Sequence, residues 1–403
     1  MAQRRIGASI ILTILTLAIW FQPQASQAQA SYQVINLGTL GGLNSVANSI
    51  NNAGQVVGWA DTASGAQHAF AWSGGRMTDL NSLLPSASPW VLNVATSINS
   101  FGDIVGNGTY TPTPSGPTYP AAFFLHGSTV TLVATGAGAN AINDSNQVVG
   151  SLLNPNPNLN QAYTWDPTTG LTSLSPLTTG GFSNAYDINN SGVIAGVSQY
   201  NTSNQFDYDP TLWNLSSGIY VPTDLGNMGS LAGMAPDGTA SAISNTGEVI
   251  GWSTINSSAT FTAYLDPTGT PNNFINLGNL NGDGSKDFAQ SINSSGDIVG
   301  SAFVYSSSGN EIPNAWIWMP SSGPMTDLNS LYPNSGTLNS ALGINSTNEI
   351  VGWGTFNNQQ QAFLIGTPVP EPSGLTAGLV FIVLLFGMGA SNAARKRRST
   401  LPS

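Results

Sequence analysis

Residues 50–58 read INNAGQVVG, and the same nine-residue pattern recurs six more times along the 403-residue chain. The other copies begin at Ile98, Ile142, Ile188, Ile243, Ile292 and Ile344, and each ends on a glycine eight residues later. The fourth position after the isoleucine holds only glycine or asparagine, the residues that accept the positive φ of tight hairpin turns. The pattern therefore predicts seven copies of one β-hairpin unit, spaced 44 to 55 residues apart.

Each unit continues beyond this hairpin with further short apolar segments. In the first unit we predict strand a at residues 46–51, b at 55–60, c at 68–72 and d at 76–80. Four strands in 40–50 residues are typical of a β-propeller blade. The seventh unit has no strand d, whereas an unassigned segment, YQVINL at residues 32–37, precedes the first unit. We therefore predict an all-β protein, a seven-bladed β-propeller over residues 31–368, closed by its N-terminal strand; an open β-solenoid or two packed sheets would leave that displaced strand unexplained.

Charge separates the ends of the chain from its middle. Only 7% of the residues are charged, and six of the eight basic residues lie near the two termini. Residues 31–370 contain 18 acidic and two basic side chains, a net charge of −16. This balance excludes nucleic acid as a partner, because that binding depends on Lys and Arg contacts to phosphates. The chain has no cysteine, so disulfides and cysteine-based metal or catalytic sites are excluded as well.

The N-terminus has the pattern of a secretory signal peptide. Arg4 and Arg5 precede an apolar run at residues 10–20, and the small residues Ala28 and Ala30 form a cleavage site. We predict a signal peptide at residues 1–30, recognised by the Sec export machinery. A retained signal anchor is the alternative.

The C-terminus combines a Pro-Glu-Pro box, an apolar segment and a basic cluster at residues 369–403. The apolar segment at about residues 375–394 is long enough to cross a bilayer as a transmembrane helix. These parts resemble the PEP-CTERM sorting signal, which implies processing by an exosortase-type enzyme at a Gram-negative-type cell envelope or cell surface; a permanent inner-membrane anchor is the alternative. The sorting residues are Val369, Pro370, Glu371, Pro372, Arg395, Lys396, Arg397 and Arg398.

The repeat also resembles the extracellular HAF-repeat family. The resemblance rests on the triplet at residues 68–70 (HAF), on NLGTLGG at residues 36–42 and on the recurring Ile-Asn core, and it spans about residues 32–366. It implies a repeat fold and export, and it implies no biochemical activity.

No residue pattern predicts a catalytic centre. His68 occupies a repeat position that Gln161, Asn314 and Gln361 fill in other units, which indicates a structural role. Most carboxylates likewise fall at repeat or turn positions. We predict a protein that is not an enzyme, with an extracellular polysaccharide hydrolase or lyase as the alternative.

One acidic segment resembles the opening of an EF-hand-type calcium loop. Residues 279–284 read NLNGDG, and oxygen-bearing side chains at the first, third and fifth positions precede a glycine. The pattern departs from that loop because asparagine replaces the first aspartate and Gln290 stands where a bidentate glutamate belongs. A turn between blades is therefore the better interpretation, and we predict no cofactor. The weak calcium hypothesis names Asn279, Asn281, Asp283 and Asp287; Asp207 and Asp209 with Asn204 are weaker still.

The connections between strands predict where a ligand binds. Because strands alternate in direction, a–b and c–d turns share one face of a propeller, and b–c and d–a loops share the other. Length varies most in the b–c loops, and rigid scaffolds commonly carry function on such loops. We predict a non-catalytic binding or structural protein whose ligand is an exopolysaccharide or a matrix protein; solvated loops without a ligand are the alternative. We predict exposed ligand-binding residues in these loops: Trp90 in a d–a loop, and Tyr110, Tyr119, Tyr200, Phe206, Asp207, Tyr208, Asp209 and Tyr305 in b–c loops.

Overall fold

The computed structural model describes residues 32–200, 208–229, 237–255, 261–280, 286–305 and 311–367. Its strands form seven antiparallel four-stranded sheets, which confirms the predicted seven-bladed β-propeller. Blade 1 comprises β2 (Gly41–Ile50), β3 (Val56–Thr62), β4 (Gln67–Ser73) and β5 (Arg76–Asp79). Blade 2 comprises β6 (Trp90–Ile98), β7 (Ile104–Tyr110), β8 (Tyr119–His126) and β9 (Thr129–Thr135). Blade 3 comprises β10 (Ala137–Ile142), β11 (Val148–Leu152), β12 (Gln161–Asp166) and β13 (Gly170–Ser173).

Blades 4 to 7 repeat this a-b-c-d order. Blade 4 comprises β14 (Ser183–Ile188), β15 (Ile194–Gln199), β16 (Tyr208–Ser216) and β17 (Ile219–Asp224), and blade 5 comprises β18 (Gly238–Ile243), β19 (Val249–Thr254), β20 (Phe261–Asp266) and β21 (Ile275–Asn276). Blade 6 comprises β22 (Lys286–Ile292), β23 (Ile298–Tyr305), β24 (Glu311–Trp318) and β25 (Thr326–Asp327). Blade 7 comprises β26 (Thr337–Ile344), β27 (Ile350–Phe356) and β28 (Gln359–Gly366), with β1 (Gln33–Gly38) as its strand d. Two short 3-10 turns, Leu80–Leu83 and Pro157–Leu159, and a helical turn, Leu328–Leu331, lie in the connections.

The N-terminal strand completes the last blade, as the displaced segment predicts. β1 pairs antiparallel with β28, from Gln33 opposite Gly366 to Gly38 opposite Ala362. Ser45 donates a hydrogen bond to the Gly38 carbonyl and accepts one from the Ala362 amide, so it ties blade 1 to both strands. The ring therefore closes without a free edge on β28, which protects that strand from pairing with another chain.

All seven a–b turns have the same construction. The fourth residue after each isoleucine has a positive φ, between 61° at Asn348 and 95° at Gly247, as the glycine and asparagine pattern predicts. In the first turn, the Asn51 side-chain oxygen accepts hydrogen bonds from the amides of Ala53 and Gln55. These bonds satisfy the backbone of the turn locally.

The turn asparagines also join the blades into a ring. In six of the seven blades, the side-chain amide of the asparagine that follows the repeat isoleucine donates a hydrogen bond to the backbone carbonyl of the equivalent residue in the next blade. Ser244 has no such amide, so the link from blade 5 to blade 6 is the exception. The donor–acceptor pairs are Asn51–Asn99, Asn99–Asn143, Asn143–Asn189, Asn189–Ser244, Asn293–Asn345 and Asn345–Asn51, at 3.0 to 3.2 Å.

A bulge in every strand a explains the glycine that ends the repeated pattern. The pairing of strand a with strand b shifts by one residue in each blade, as at Ala289/Ser291 in blade 6. The bulge aims a backbone carbonyl at the glycine; a Cβ at Gly300 would overlap the Phe288 carbonyl oxygen. One fully buried aromatic residue from each strand c then fills the core of the blades: Phe70, Phe123, Tyr163, Trp213, Tyr264, Trp316 and Phe363.

The predicted targeting segments fall outside the described residues. These are the signal peptide at residues 1–30 and the sorting region at residues 369–403, including the predicted transmembrane segment. Within the ranges given above, no helix has the length and apolar character needed to cross a membrane.

Candidate functional site

The a–b face carries a central cavity of about 240 Å³ where the seven a–b turns meet. Its wall consists of the seven repeat isoleucines, the asparagine or serine that follows each of them, and the small polar residues that come next. The ring amides already bond to one another, as described above. This construction indicates that the cavity wall holds the blades together.

One carboxylate, Asp144, belongs to the cavity wall, and a second, Asp187, directly precedes the wall residue Ile188. Asp144 accepts hydrogen bonds from the Ser100 amide (2.9 Å) and from Asn190 Nδ2 (2.8 Å). Burial acts to raise the pKa of Asp144, but these hydrogen bonds outweigh it and hold the pKa below its ordinary value. Asp187 accepts from the Ile188 amide and from the Ile243 amide of the next blade, yet burial raises its pKa to about 6.

The Asp187 carboxyl should make stability depend on pH. Its folded pKa lies above the ordinary value of 3.8, so the ionised form is disfavoured in the folded state. The free energy of unfolding is therefore highest below pH 3.8, and it falls by about 3 kcal/mol as pH rises through about 6 and Asp187 ionises. In denaturant titrations from pH 4 to pH 8, Asp187→Asn should remove that part of the decline. Asp144→Asn is the control and should not; equal pH slopes for wild type and Asp187→Asn would refute this assignment.

The b–c face presents an aromatic row on blade 2. Trp90, Tyr110 and Tyr119 stand opposite one another on strands a, b and c, because Trp90 pairs with Tyr110 and Tyr110 pairs with Tyr119. The prediction that Trp90 lies in a loop is wrong: it begins β6 and is 8% exposed. It packs 4.8 Å from the Tyr110 ring and 6.3 Å from the Phe123 ring, between centroids. Exposure rises outward, to 41% at Tyr119.

The other predicted loop residues that the structure describes do not form one cluster with this row. Tyr200 is 56% exposed beyond the end of β15. Tyr208 begins β16 rather than lying in a loop, and its ring packs against Phe182 at 5.3 Å. Asp209 is also a strand residue; it is buried and accepts a hydrogen bond from Asn227. Phe206 and Asp207 lie outside the described residues, as does the side chain of Tyr305 at the end of β23.

The calcium hypothesis gains no ligand set from the structure. Asp287 lies within β22, fully buried, and its carboxylate accepts a hydrogen bond from the Leu280 amide. Asn279 is also described, whereas Asn281 and Asp283 are not. In the described part of the chain, no three His, Asp or Glu side chains converge as a metal site would require.

Sequence analysis missed a second aromatic cluster, between blades 5 and 6. Trp252 and Phe261 from blade 5 contact Phe288, with ring centroids 5.8 and 5.7 Å from it, and Phe303 lies 5.9 Å beyond. All four side chains are partly exposed. They are up to 51 residues apart in the sequence and occupy no common repeat position, so only the fold brings them together.

Both histidines pair with carboxylates near the ends of strands. His68 Nδ1 lies 2.7 Å from Asp79, whose other oxygen accepts from the Asn81 amide and caps the following 3-10 turn. His126 Nδ1 lies 2.6 Å from Asp103 at the start of strand b. The predicted structural role of His68 therefore has a physical basis in this turn.

Comparison with known proteins yields a family match over part of the chain. A family described as "Protein of unknown function (DUF3466)" matches residues 38–160, from blade 1 into blade 3. No curated protein matches the chain.

Several solved structures resemble this chain at low sequence identity. An oligogalacturonate lyase from Vibrio parahaemolyticus is 9% identical, with 85% of this chain and 95% of that chain covered and a TM-score of 0.51. A structure from a study of two prolyl endopeptidases is 10% identical, covering 83% and 51%, with a TM-score of 0.50. TolB from Acinetobacter baumannii is 10% identical, covering 78% and 64%, with a TM-score of 0.41. The chain thus spans about half of the endopeptidase and under two thirds of TolB, and these likenesses concern the fold alone.

Proposed function

We propose that this protein is an exported, cell-envelope-associated propeller that binds extracellular polysaccharide on its b–c face without transforming it. The observation that carries the proposal is the aromatic row of Trp90, Tyr110 and Tyr119 on blade 2. Its buried inner end is fixed by packing, and its outer tyrosine is open to solvent. A rigid aromatic ring with a polar tip offers a sugar both an apolar face and a hydrogen-bonding group.

The negative charge of the propeller domain favours an uncharged ligand over an anionic one. Residues 31–370 have a net charge of −16, and the only two basic residues among them are Arg76 and Lys286. Lys286 forms a 2.9 Å ion pair with Glu311. A polyanion would therefore meet repulsion over most of the domain. For the same reason, we propose no nucleic acid partner.

The chain ends support export. A Sec-type signal at residues 1–30 and the PEP-CTERM-like region at residues 369–403 would direct the propeller to the outside of the cytoplasmic membrane. In this proposal an exosortase-type enzyme processes the tail near Pro370, and the propeller then associates with the envelope or its surrounding matrix.

Replacing the outermost tyrosine should weaken glycan binding. With the full chain purified in a detergent that has no sugar headgroup, Tyr119→Ala should lose about tenfold in affinity for the glycan that binds best on an array, about 1.4 kcal/mol. Phe101→Ala is the matched control, because Phe101 is 65% exposed on the a–b face of the same blade; it should bind like wild type.

The same samples separate the competing functions. Appearance of new reducing ends or unsaturated products would establish the alternative, a polysaccharide hydrolase or lyase. Failure of every glycan to bind, with capture of a matrix protein instead, would replace polysaccharide by protein as the ligand.

A further inference from the structure

The connection between strands c and d of blade 5 is unlike its counterparts in blades 1 to 4. It runs from residue 267 to residue 274, whereas those blades turn in two or three residues. The backbone amide of Asn272 donates a 2.8 Å hydrogen bond to the Leu225 carbonyl at the end of blade 4. The longer connection therefore crosses to the neighbouring blade.

This crossing forms a cleft of about 350 Å³ between blades 4 and 5. That volume lies at the lower end of the roughly 300–1,000 Å³ typical of small-ligand sites. Three asparagine side chains, one aromatic ring and two aliphatic side chains form the wall: Asn227, Asn272, Asn276, Phe274, Met228 and Ile255.

The wall is fixed by contacts that do not use its outward-facing amides. Ser253 Oγ accepts from the Met228 amide, and Asn227 donates to Asp209. The Phe274 ring packs edge-on against the buried Tyr264, 4.6 Å between centroids. Asn272 has φ +61°, and Gly226 leaves room for its side chain, since a Cβ there would lie 2.5 Å from Asn272 Oδ1.

Two amides remain available to a ligand in this preformed cleft. The side chains of Asn272 and Asn276 are exposed, and among the described residues the only hydrogen bond they make is the one that Asn276 Oδ1 accepts from Gly278. An amide can both donate to and accept from neighbouring hydroxyl groups. Phe274 and Met228 add an apolar surface beside them.

The charges around the cleft select against anions. Asp209 and Asp224 lie directly behind it, bonded to Asn227 and to the Gly226 amide. None of the six wall residues is basic. Amide hydrogen-bonding groups, an aromatic ring and a negative background together fit an uncharged polyhydroxylated ring.

We infer that the cleft between blades 4 and 5 is a subsite for a neutral hexopyranose unit. The inference rests on the proposed polysaccharide-binding function and adds the position of the sugar and the exclusion of acidic sugars. The Asn272 and Asn276 amides bond the hydroxyl groups, and Phe274 contacts the less polar face of the ring.

The test is calorimetric titration of the full chain with soluble glucan, mannan and galactan fragments and with polygalacturonate. Asn272→Gly removes the amide and keeps a residue that tolerates positive φ; we expect at least a tenfold loss of affinity for the best neutral glycan. Asn214→Ala is the control, because Asn214 is exposed on β16 and does not line the cleft; it should not alter affinity. Asn276→Asp keeps the acceptor for the Gly278 amide and removes the donor, so it should also weaken binding.

The outcomes separate the cleft from the wider proposal. If wild type binds a neutral glycan and both cleft variants bind equally well, the cleft is not the subsite, although the proposed function stands. If polygalacturonate binds more tightly than every neutral glycan, the exclusion of acidic sugars is wrong. If wild type binds no glycan, the proposed polysaccharide function and the subsite fail together.

Discussion

Gly300→Ala should destabilise the propeller by about 3 kcal/mol or more. The added Cβ would overlap the Phe288 carbonyl that the strand-a bulge aims at this position, and it would lie 2.6 Å from the Trp316 ring. Trp316 is fully buried, so neither the ring nor the backbone has space to retreat. Overpacking of a closed core is among the mechanisms that give large losses of stability.

A second glycine provides the control. Gly138 lies in strand a of blade 3 without a positive φ, and the nearest atom to a Cβ there is 3.8 Å away. Gly138→Ala should therefore leave the free energy of unfolding unchanged or raise it by up to about 1 kcal/mol, and the guanidinium midpoint should stay the same or rise. Equal midpoints for the two variants would show that the bulge does not dictate glycine at the end of the repeated pattern.

Deleting residues 32–38 should prevent the propeller from remaining a folded monomer. The deletion removes five pairings with β28 and the buried Leu37, and it exposes the edge of β28. An exposed edge strand invites pairing with another chain. Size-exclusion chromatography should show aggregates, and thermal unfolding should lose its cooperative transition.

A circular permutant distinguishes a missing strand from a damaged chain. Gln33 stands opposite Gly366, so residues 32–38 joined behind residue 367 by a tight turn would reach the same place as a hairpin partner of β28. This permutant should recover a monomer with near-native thermal stability. A stable monomer formed by the deleted chain without that strand would contradict closure of the ring by β1.

Sequence analysis succeeded where one residue type has one physical reason to recur. Glycine or asparagine at the fourth position of the repeat indicated positive φ, and all seven turns have it. The displaced segment at residues 32–37 indicated closure, because the seventh unit lacked its strand d. Both features are local or countable, so they do not require knowledge of the packing.

The aromatic residues were harder to place because their exposure depends on register. Strand a of blade 2 extends back to Trp90 through two bulges, at Leu92/Val94 and at Ala95/Ser97, so alternation along the strand does not reveal which side chains are buried. Bulges carry little sequence signal of their own. The prediction of an exposed Trp90 therefore failed, while Tyr119, at the outer end of the same row, is exposed.

The cleft was missed because it comes from three separate segments. The d–a connection of blade 4, the end of β19 and the long c–d connection of blade 5 meet only after the blades pack. The sequence shows its greatest length variation in the b–c loops, so the long c–d connection of blade 5 did not stand out. Asparagine is also so frequent in this chain that three more gave no signal.

The most direct measurement of the central proposal is hydrogen exchange of the full chain with and without the neutral glycan that it binds best. We expect slower exchange at Tyr110 and Tyr119 on the b–c face and at residues 226–228 and 272–276 in the cleft between blades 4 and 5, with no change in the a–b turns. The glycan should be recovered intact. Protection confined to the a–b turns around the central cavity, or recovery of a cleaved glycan, would contradict the proposed binding face or the proposed absence of catalysis.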